Sequence, residues 1–297
     1  MSTLPDDPII FAAHAVLDAD ALLITAGAGM GVDSGLPDFR GKEGFWQAYP
    51  AIARLGLSFP EMANPEWFRL DPRLAWAFYG HRLELYRRVH PHDGFSKLLQ
   101  LTQDKPWGGF VLTSNVDGHF QKAGWPENRV AECHGSIHQL QCTRPCSSEI
   151  WSAERLTLEI DAESFRATGS LPHCPRCGAL ARPNILMFSD GQWLEKRSAE
   201  QESRMQQWLS DAHKQNARLV IVEIGAGNAV PTIRQSSEHF VRKYAARLIR
   251  VNPRDSWIPP GRHIALPMAG VDAIMQIWRK VTHQTIQSTP SDNTNQQ

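Results

Sequence analysis

Three glycines, Gly27, Gly29 and Gly31, follow the apolar run Ala21-Leu22-Leu23-Ile24-Thr25. A buried strand that ends in closely spaced glycines and enters a helix suits phosphate. Glycine lets the backbone approach the ligand, and the free N–H groups of the helix attract negative charge. The block continues through Pro37-Asp38-Phe39-Arg40-Gly41, which sets an acid, an aromatic ring and a guanidinium just past the turn. The spacing is not the commoner Gly-x-Gly-x-x-Gly, and no acid stands at a strand end about 20 residues on to hold a ribose.

Further groups stand at the ends of other apolar runs. Thr113-Ser114-Asn115-Val116-Asp117 offers an amide and a carboxylate that suit a carboxamide. Taken alone, the segment reads more readily as a turn capped by Asn and Asp. Glu132-Cys133-His134-Gly135 offers a histidine able to act as a base near neutral pH. Alone, it reads more readily as a satisfied structural histidine. Cys133 and His134 are adjacent, so on a strand they point to opposite faces and do not form a nucleophilic pair. Gly225-Ala226-Gly227-Asn228 is a second glycine turn, suited to another part of a dinucleotide, and Asn252 follows the next strand, where it can bond ribose hydroxyls. Cys142 and Cys146 have three residues between them and Cys174 and Cys177 have two, a spacing that fits a closed tetrahedral zinc site.

The elements that must position these groups follow from periodicity. Ile9 to Ala19 has helical spacing behind Pro8. Residues 44–72 are rich in Trp, Phe and Pro and read as a long loop with short helices. Arg73 to Arg88 forms an amphipathic helix. Strands are expected at Gly109–Thr113, Arg129–Glu132, Leu219–Ile224, Arg247–Val251 and His263–Leu266, and a polar helix at Glu200–Asn216. Buried β-branched runs that alternate with helices imply an α/β fold with a doubly wound parallel sheet. Residues 139–187 break the rhythm and hold both cysteine pairs, which marks an inserted module. The polar tail from His283 is expected to be disordered.

Composition narrows the partners. The 297 residues carry 31 Lys+Arg and 31 Asp+Glu, so no basic surface argues for nucleic acid or an anionic membrane. The N-terminus lacks a secretory pattern and no apolar run is long enough to span a bilayer, which predicts a cytoplasmic protein.

Taken together, from about Ala21 to Trp278, these residues resemble the sirtuin family of NAD-dependent protein deacylases. The Gly27–Gly41 block, Asn115-x-Asp117, His134-Gly135, the four cysteines, the Gly225 turn and Asn252 stand in family order. The resemblance implies a Rossmann-type domain built from residues 1–41, 91–138 and 188–282. It implies a smaller domain from a loop and helical module, 42–90, and a zinc-binding module, 139–187, with 283–297 as the tail. NAD would contact Gly27, Ala28, Gly29, Asp38, Phe39, Arg40, Ser114, Asn115, Asp117, His134, Gly225, Ala226, Gly227, Asn252 and Val271. Zinc would bind Cys142, Cys146, Cys174 and Cys177. The acyl-lysine oxygen would attack the ribose C1′ carbon and release nicotinamide from the Asn115 and Asp117 pocket. His134 would then act as general base on the ribose hydroxyls, yielding O-acyl-ADP-ribose and free lysine. The partners are acylated protein lysines.

Tyr79-Gly80-His81-Arg82 carries the Tyr-x-x-Arg spacing of sirtuins that remove succinyl, malonyl or glutaryl groups. Met187 and Phe188 would line the protein-substrate site, but Met187-Phe188-Ser189-Asp190 replaces the family's usual Phe-Gly-Glu segment. Gly31 replaces a usual Ser, Ser114 a usual Gln, and Gly225-Ala226-Gly227 a usual Gly-Thr-Ser. An ADP-ribosyltransferase, an NAD hydrolase and a non-catalytic NAD-binding regulator are the alternative readings.

Overall fold

The computed structural model describes residues 7–37 and 42–288. Asp38, Phe39 and Arg40 lie outside the described residues. In chain order the strands are β1 (Ala21–Ala26), β2 (Gly109–Thr113), β3 (Val130–Glu132), β4 (Gly135–Cys142), β5 (Ile150–Ser152), β6 (Ile160–Asp161), β7 (Arg166–Ala167), β8 (Ala181–Ile185), β9 (Leu219–Ile224), β10 (Arg247–Val251) and β11 (Ile264–Leu266). The helices are α1 (Pro8–Asp18), α2 (Lys42–Ala48), α3 (Pro50–Arg54), α4 (Phe59–Met62), α5 (Trp67–Leu70), α6 (Pro72–Arg88), α7 (Gly94–Gln103), α8 (His119–Lys122), α9 (Lys196–Lys214), α10 (Thr232–Tyr244) and α11 (Gly270–Ser288).

Six strands form one parallel sheet in the order β11-β10-β9-β1-β2-β3. This is the doubly wound arrangement, with the order reversing between β1 and β9. The strands are apolar on both faces because both are covered. Leu22, Ile24, Val111, Val220, Val222 and Ile249 pack with α1, α7 and α11. Ala21, Leu23, Phe110, Leu112, Ile221 and Leu248 pack on the other face with α9 and α10. The strand periods expected from sequence match within a residue or two. The last helix departs from expectation, continuing through His283 to Ser288.

A second cluster lies outside this sheet. It joins Phe45, Tyr49, Trp76, Phe78 and Tyr79 of the helical segment to Ile137, Leu140 and Ile185 of the antiparallel sheet β5-β4-β8. The Trp76 indole N–H donates to the Ala181 carbonyl (3.1 Å). Arg87 donates to the Leu156 and Ala153 carbonyls (both 2.7 Å). Two insertions separated in sequence thus form one packed unit beside the sheet. Among the described residues no helix is long and apolar enough to cross a membrane.

Candidate active site

The switch point between β1 and β9 leaves a crevice at the strands' C-terminal ends, where open α/β sheets bind ligands. Both glycine turns meet there. The Gly29 N–H donates to the Gly225 carbonyl (3.1 Å). A Cβ on Gly29 would lie 2.8 Å from the Gly225 Cα, and one on Gly225 (φ +62°) would lie 2.4 Å from the Met30 nitrogen. Only glycine at both positions lets the turns touch. Gly29 and Gly225 form the contact between the turns, while Gly27, Ala28, Ala226 and Gly227 line the cavity beside it.

The first turn is braced from outside. The His92 Nε2–H donates to the Met30 carbonyl (3.1 Å), and its Nδ1 accepts from the Gly94 N–H (3.0 Å). The Val271 N–H at the start of α11 donates to the Asp33 carboxylate (2.9 Å). Val271, expected against the cofactor, thereby anchors the first turn through Asp33. The family-unusual Gly31 has a local reason. The Leu36 Cδ1 sits 2.9 Å from where a Cβ on residue 31 would project, so Leu36 takes that space and faces the cavity.

A cavity of about 440 Å³ opens from the crevice toward the helical segment. It brings together Gly27, Ala28, Tyr79, Arg82, Ser114, Asn115, Asp117, His134, Met187, Phe188, Ala226 and Gly227, all singled out from sequence. Asn115 donates its amide N–H to the Gly27 carbonyl (3.0 Å), which ties the end of β2 to the first glycine turn. Asp117 accepts the His119 N–H (2.9 Å), and its carbonyl accepts from the His138 ring (2.9 Å). Asn252 stands behind the cavity. Sequence assigned it to ribose hydroxyls, but its Nδ2 donates to the Ala226 carbonyl (2.8 Å) and its Oδ1 accepts the Arg254 and Asp255 N–H groups (both 2.9 Å). Its amide holds the Gly225 turn and keeps one N–H beyond these bonds.

His134 occupies the turn between β3 and β4. The strand end before it is fixed from α9: Ser198 donates to the Glu132 carbonyl (2.8 Å), Gln201 accepts the Glu132 N–H (3.1 Å), and Arg197 pairs with the Glu132 carboxylate (2.7 Å). The residue after it, Gly135, has φ +78°, and a Cβ there would meet the Asn184 carbonyl at 2.1 Å. Burial lowers the His134 pKa from 6.5, which keeps the ring neutral and able to accept a proton. Cys133 turns the other way: its thiol contacts the Thr113 carbonyl, and burial pushes its pKa up to about 12.

Tyr79 and Arg82 lie one helical turn apart on α6 and reach the same end of the cavity. The Tyr79 hydroxyl is buried and has no hydrogen-bond partner among the described residues. The Arg82 guanidinium donates to the Tyr86 hydroxyl from Nε (3.2 Å) and Nη2 (2.9 Å), and lies over the rings of Phe78 (5.3 Å) and Tyr86 (5.5 Å). Tyr86 is a cavity residue that the sequence reading missed. Its position seven residues after Tyr79, on the same helix face, was the available signal. At the mouth, Ser189 has φ +56°, and the turn that carries Met187 and Phe188 is held by Asp190. Asp190 accepts from both Arg182 Nη atoms (2.7 and 3.0 Å), the Met187 N–H (3.3 Å) and the Gln192 N–H (3.1 Å). Leu186, Phe188 and Val230 leave apolar surface exposed around the opening.

The four cysteines meet away from this cavity. Their sulfurs all lie within 4.8 Å of one another, with Cys142 and Cys177 at 3.7 Å and Cys146 and Cys174 at 3.7 Å. Zn–S bonds of about 2.3 Å in a tetrahedron require sulfur separations of about 3.8 Å. The set fits zinc, and with four sulfurs it leaves no ligand position for substrate.

Residues 27–221 match the Sir2 family. The chain is 30% identical over 252 residues to an NAD-dependent protein deacylase of Pyrococcus abyssi, covering 85% of this chain and 89% of that protein. It is 29% identical over 236 residues to an NAD-dependent protein deacylase of Aquifex aeolicus, covering 79% and 84%. Among solved structures, a Sir2 homologue in complex with ADP ribose superposes with a TM-score of 0.69 at 22% identity, covering 94% of this chain and 98% of that one. A Sir2 homologue in complex with NAD gives 0.67 at 23%, covering 92% and 93%. The fold, the paired glycine turns around one cavity and the sequence match over most of the chain agree: the protein belongs to the Sir2 family.

Proposed function

We propose that this protein is an NAD-dependent protein lysine deacylase that yields nicotinamide, O-acyl-ADP-ribose and free lysine. The observation that carries the reading is one cavity lined by both glycine turns, the Asn115 and Asp117 pair and His134. Bound NAD supplies an electrophilic ribose carbon with nicotinamide as leaving group, and ribose hydroxyls to accept the acyl group. The turns at Gly27–Gly29 and Gly225–Gly227 would hold its phosphates. Asn115 and Asp117 would orient the carboxamide. His134 would take a proton from a ribose hydroxyl. The apolar walls from Leu36, Phe59, Ile185 and Ile233 exclude water, which would otherwise divert the reaction to hydrolysis. Asp38, Phe39 and Arg40 would complete the cofactor side.

The acyl group we assign is acidic: succinyl, malonyl or glutaryl. Burial raises the Tyr79 pKa, so the phenol stays a hydrogen-bond donor, and its hydroxyl has no other partner among the described residues. Arg82 is always charged, so a distal carboxylate receives one phenol and one guanidinium.

The test is incubation with NAD and matched acetyl-, succinyl- and glutaryl-lysine peptides, following nicotinamide and modified ADP-ribose by mass spectrometry. The expected result is equimolar nicotinamide and O-acyl-ADP-ribose, with kcat/KM higher for the acidic acyl groups. A hydrogen bond to a charged group is worth about 1.5–3 kcal/mol, so Arg82→Met should cut succinyl turnover roughly ten- to hundredfold and leave acetyl turnover nearly unchanged. Plain ADP-ribose with the peptide untouched sinks the deacylase reading. Equal use of acetyl and succinyl peptides sinks only the acidic-acyl assignment.

A further inference from the structure

We infer that Arg234 is a positioning residue for the cofactor: it fixes the spacing of the two loops that follow β9 and β10. This rests on the NAD reading above. Asn115, Asp117 and His134 follow strands β2 and β3, on one side of the switch point. The other half of a dinucleotide therefore faces the loops after β9 and β10, on the opposite side.

These loops are joined by side chains that never reach the cavity. Arg234, buried in the first turn of α10, donates from Nη1 to the Asn228 Oδ1 (3.2 Å) in the first loop. From Nη2 it donates to the Asp255 (2.7 Å) and Trp257 (3.1 Å) carbonyls in the second. Asn228 closes the link by donating its amide to the Asp255 carboxylate (2.9 Å). One guanidinium thus sets three hydrogen bonds across both loops.

A guanidinium under two loops needs a rigid base, and the sheet provides one. Arg250 of β10 is fully buried and pairs with Glu223 of the neighbouring β9 through Nε (2.6 Å) and Nη2 (3.0 Å). Its remaining Nη1 donates to the same Trp257 carbonyl that Arg234 holds (2.5 Å). Two charges buried this close to an apolar sheet cost desolvation free energy, and each becomes tolerable only by filling its hydrogen bonds. Glu223 and Glu238 balance the Arg250 charge, and the loop carbonyls take further N–H groups of both guanidiniums, so the loops cannot shift without leaving buried donors unmet. The result is a preorganised ligand surface whose ordering cost is met on folding rather than on binding.

The test uses the purified full-length protein. ADP-ribose binding by calorimetry and steady-state kinetics with varied NAD and varied acyl peptide are measured for wild type, Arg234→Met, Arg234→Lys and Asn228→Ala. Arg234→Met is expected to raise the ADP-ribose Kd and the NAD KM at least tenfold, with kcat and the peptide KM within twofold of wild type. Arg234→Lys recovers part of the loss. Asn228→Ala, which leaves Arg234 in place, raises the NAD KM about threefold. An ADP-ribose Kd for Asn228→Ala within error of wild type, together with an NAD and a peptide KM that rise equally in Arg234→Met, overturns the assignment, as does an unchanged Kd in Arg234→Met. Absence of ADP-ribose binding by the wild type instead refutes the NAD reading itself.

Discussion

His134 serves as a base only while its ring is neutral. Burial lowers its pKa from 6.5, so the ring stays unprotonated down to more acidic pH than a free imidazole. The acid limb of the kcat/KM profile is therefore expected below pH 6.5, with a plateau above it. General bases contribute about 10²–10⁴ in rate, and His134→Asn should lose that much in kcat/KM while ADP-ribose binding holds within about threefold. A pH–rate profile and calorimetry check both. Residues of this kind were legible because they stand at strand ends, where their side chains have only a ligand or solvent to meet. Asn252 shows where such reading stops. An amide at a strand end can bond a ribose or a neighbouring turn, and the bond from Asn252 to the Ala226 carbonyl is visible only in the three-dimensional course of the Gly225 turn. Tyr86 was missed because an aromatic residue at helical spacing carries the same signal whether it lines a core or a cavity.

The glycine turns act as a pair of elements. Alanine at residue 225 would demand a left-handed backbone and would drive its Cβ to 2.4 Å from the Met30 nitrogen. That neighbour is backbone and cannot rotate away. Gly225→Ala is expected to destabilise the protein by about 2–4 kcal/mol, visible as a lower urea midpoint, and to abolish NAD binding. An unchanged midpoint would mean that the turns separate freely. The strands on either side were read correctly because buried β-branched runs are hard to mistake when helices separate them. Residues 44–72 were less legible. Helices such as α4, four residues long, are set by a capping box of Ser58 and Glu61, and they are too short to show a period.

At the scale of the molecule, the sheet and the cysteine-bearing unit have separate apolar clusters, and the four cysteines that fit zinc belong only to the second. Chelation should therefore split thermal unfolding into two transitions. The earlier would belong to β4, β5 and β8 with the α6 face packed on them, and activity would be lost with it. Calorimetry of metal-free and zinc-loaded protein distinguishes this from a single shifted transition. The doubly wound class was legible from alternation, but not the joining of two distant insertions, because no periodicity within either one records its partner. That joining also has a consequence for synthesis. Trp76 emerges 105 residues before its partner Ala181. At about 5–20 residues per second, the aromatic face of α6 stays uncovered on the ribosome for roughly 5–20 s. During that interval this face is a target for chaperones and a hazard for aggregation, and slower translation across the cysteine-bearing segment would lengthen both.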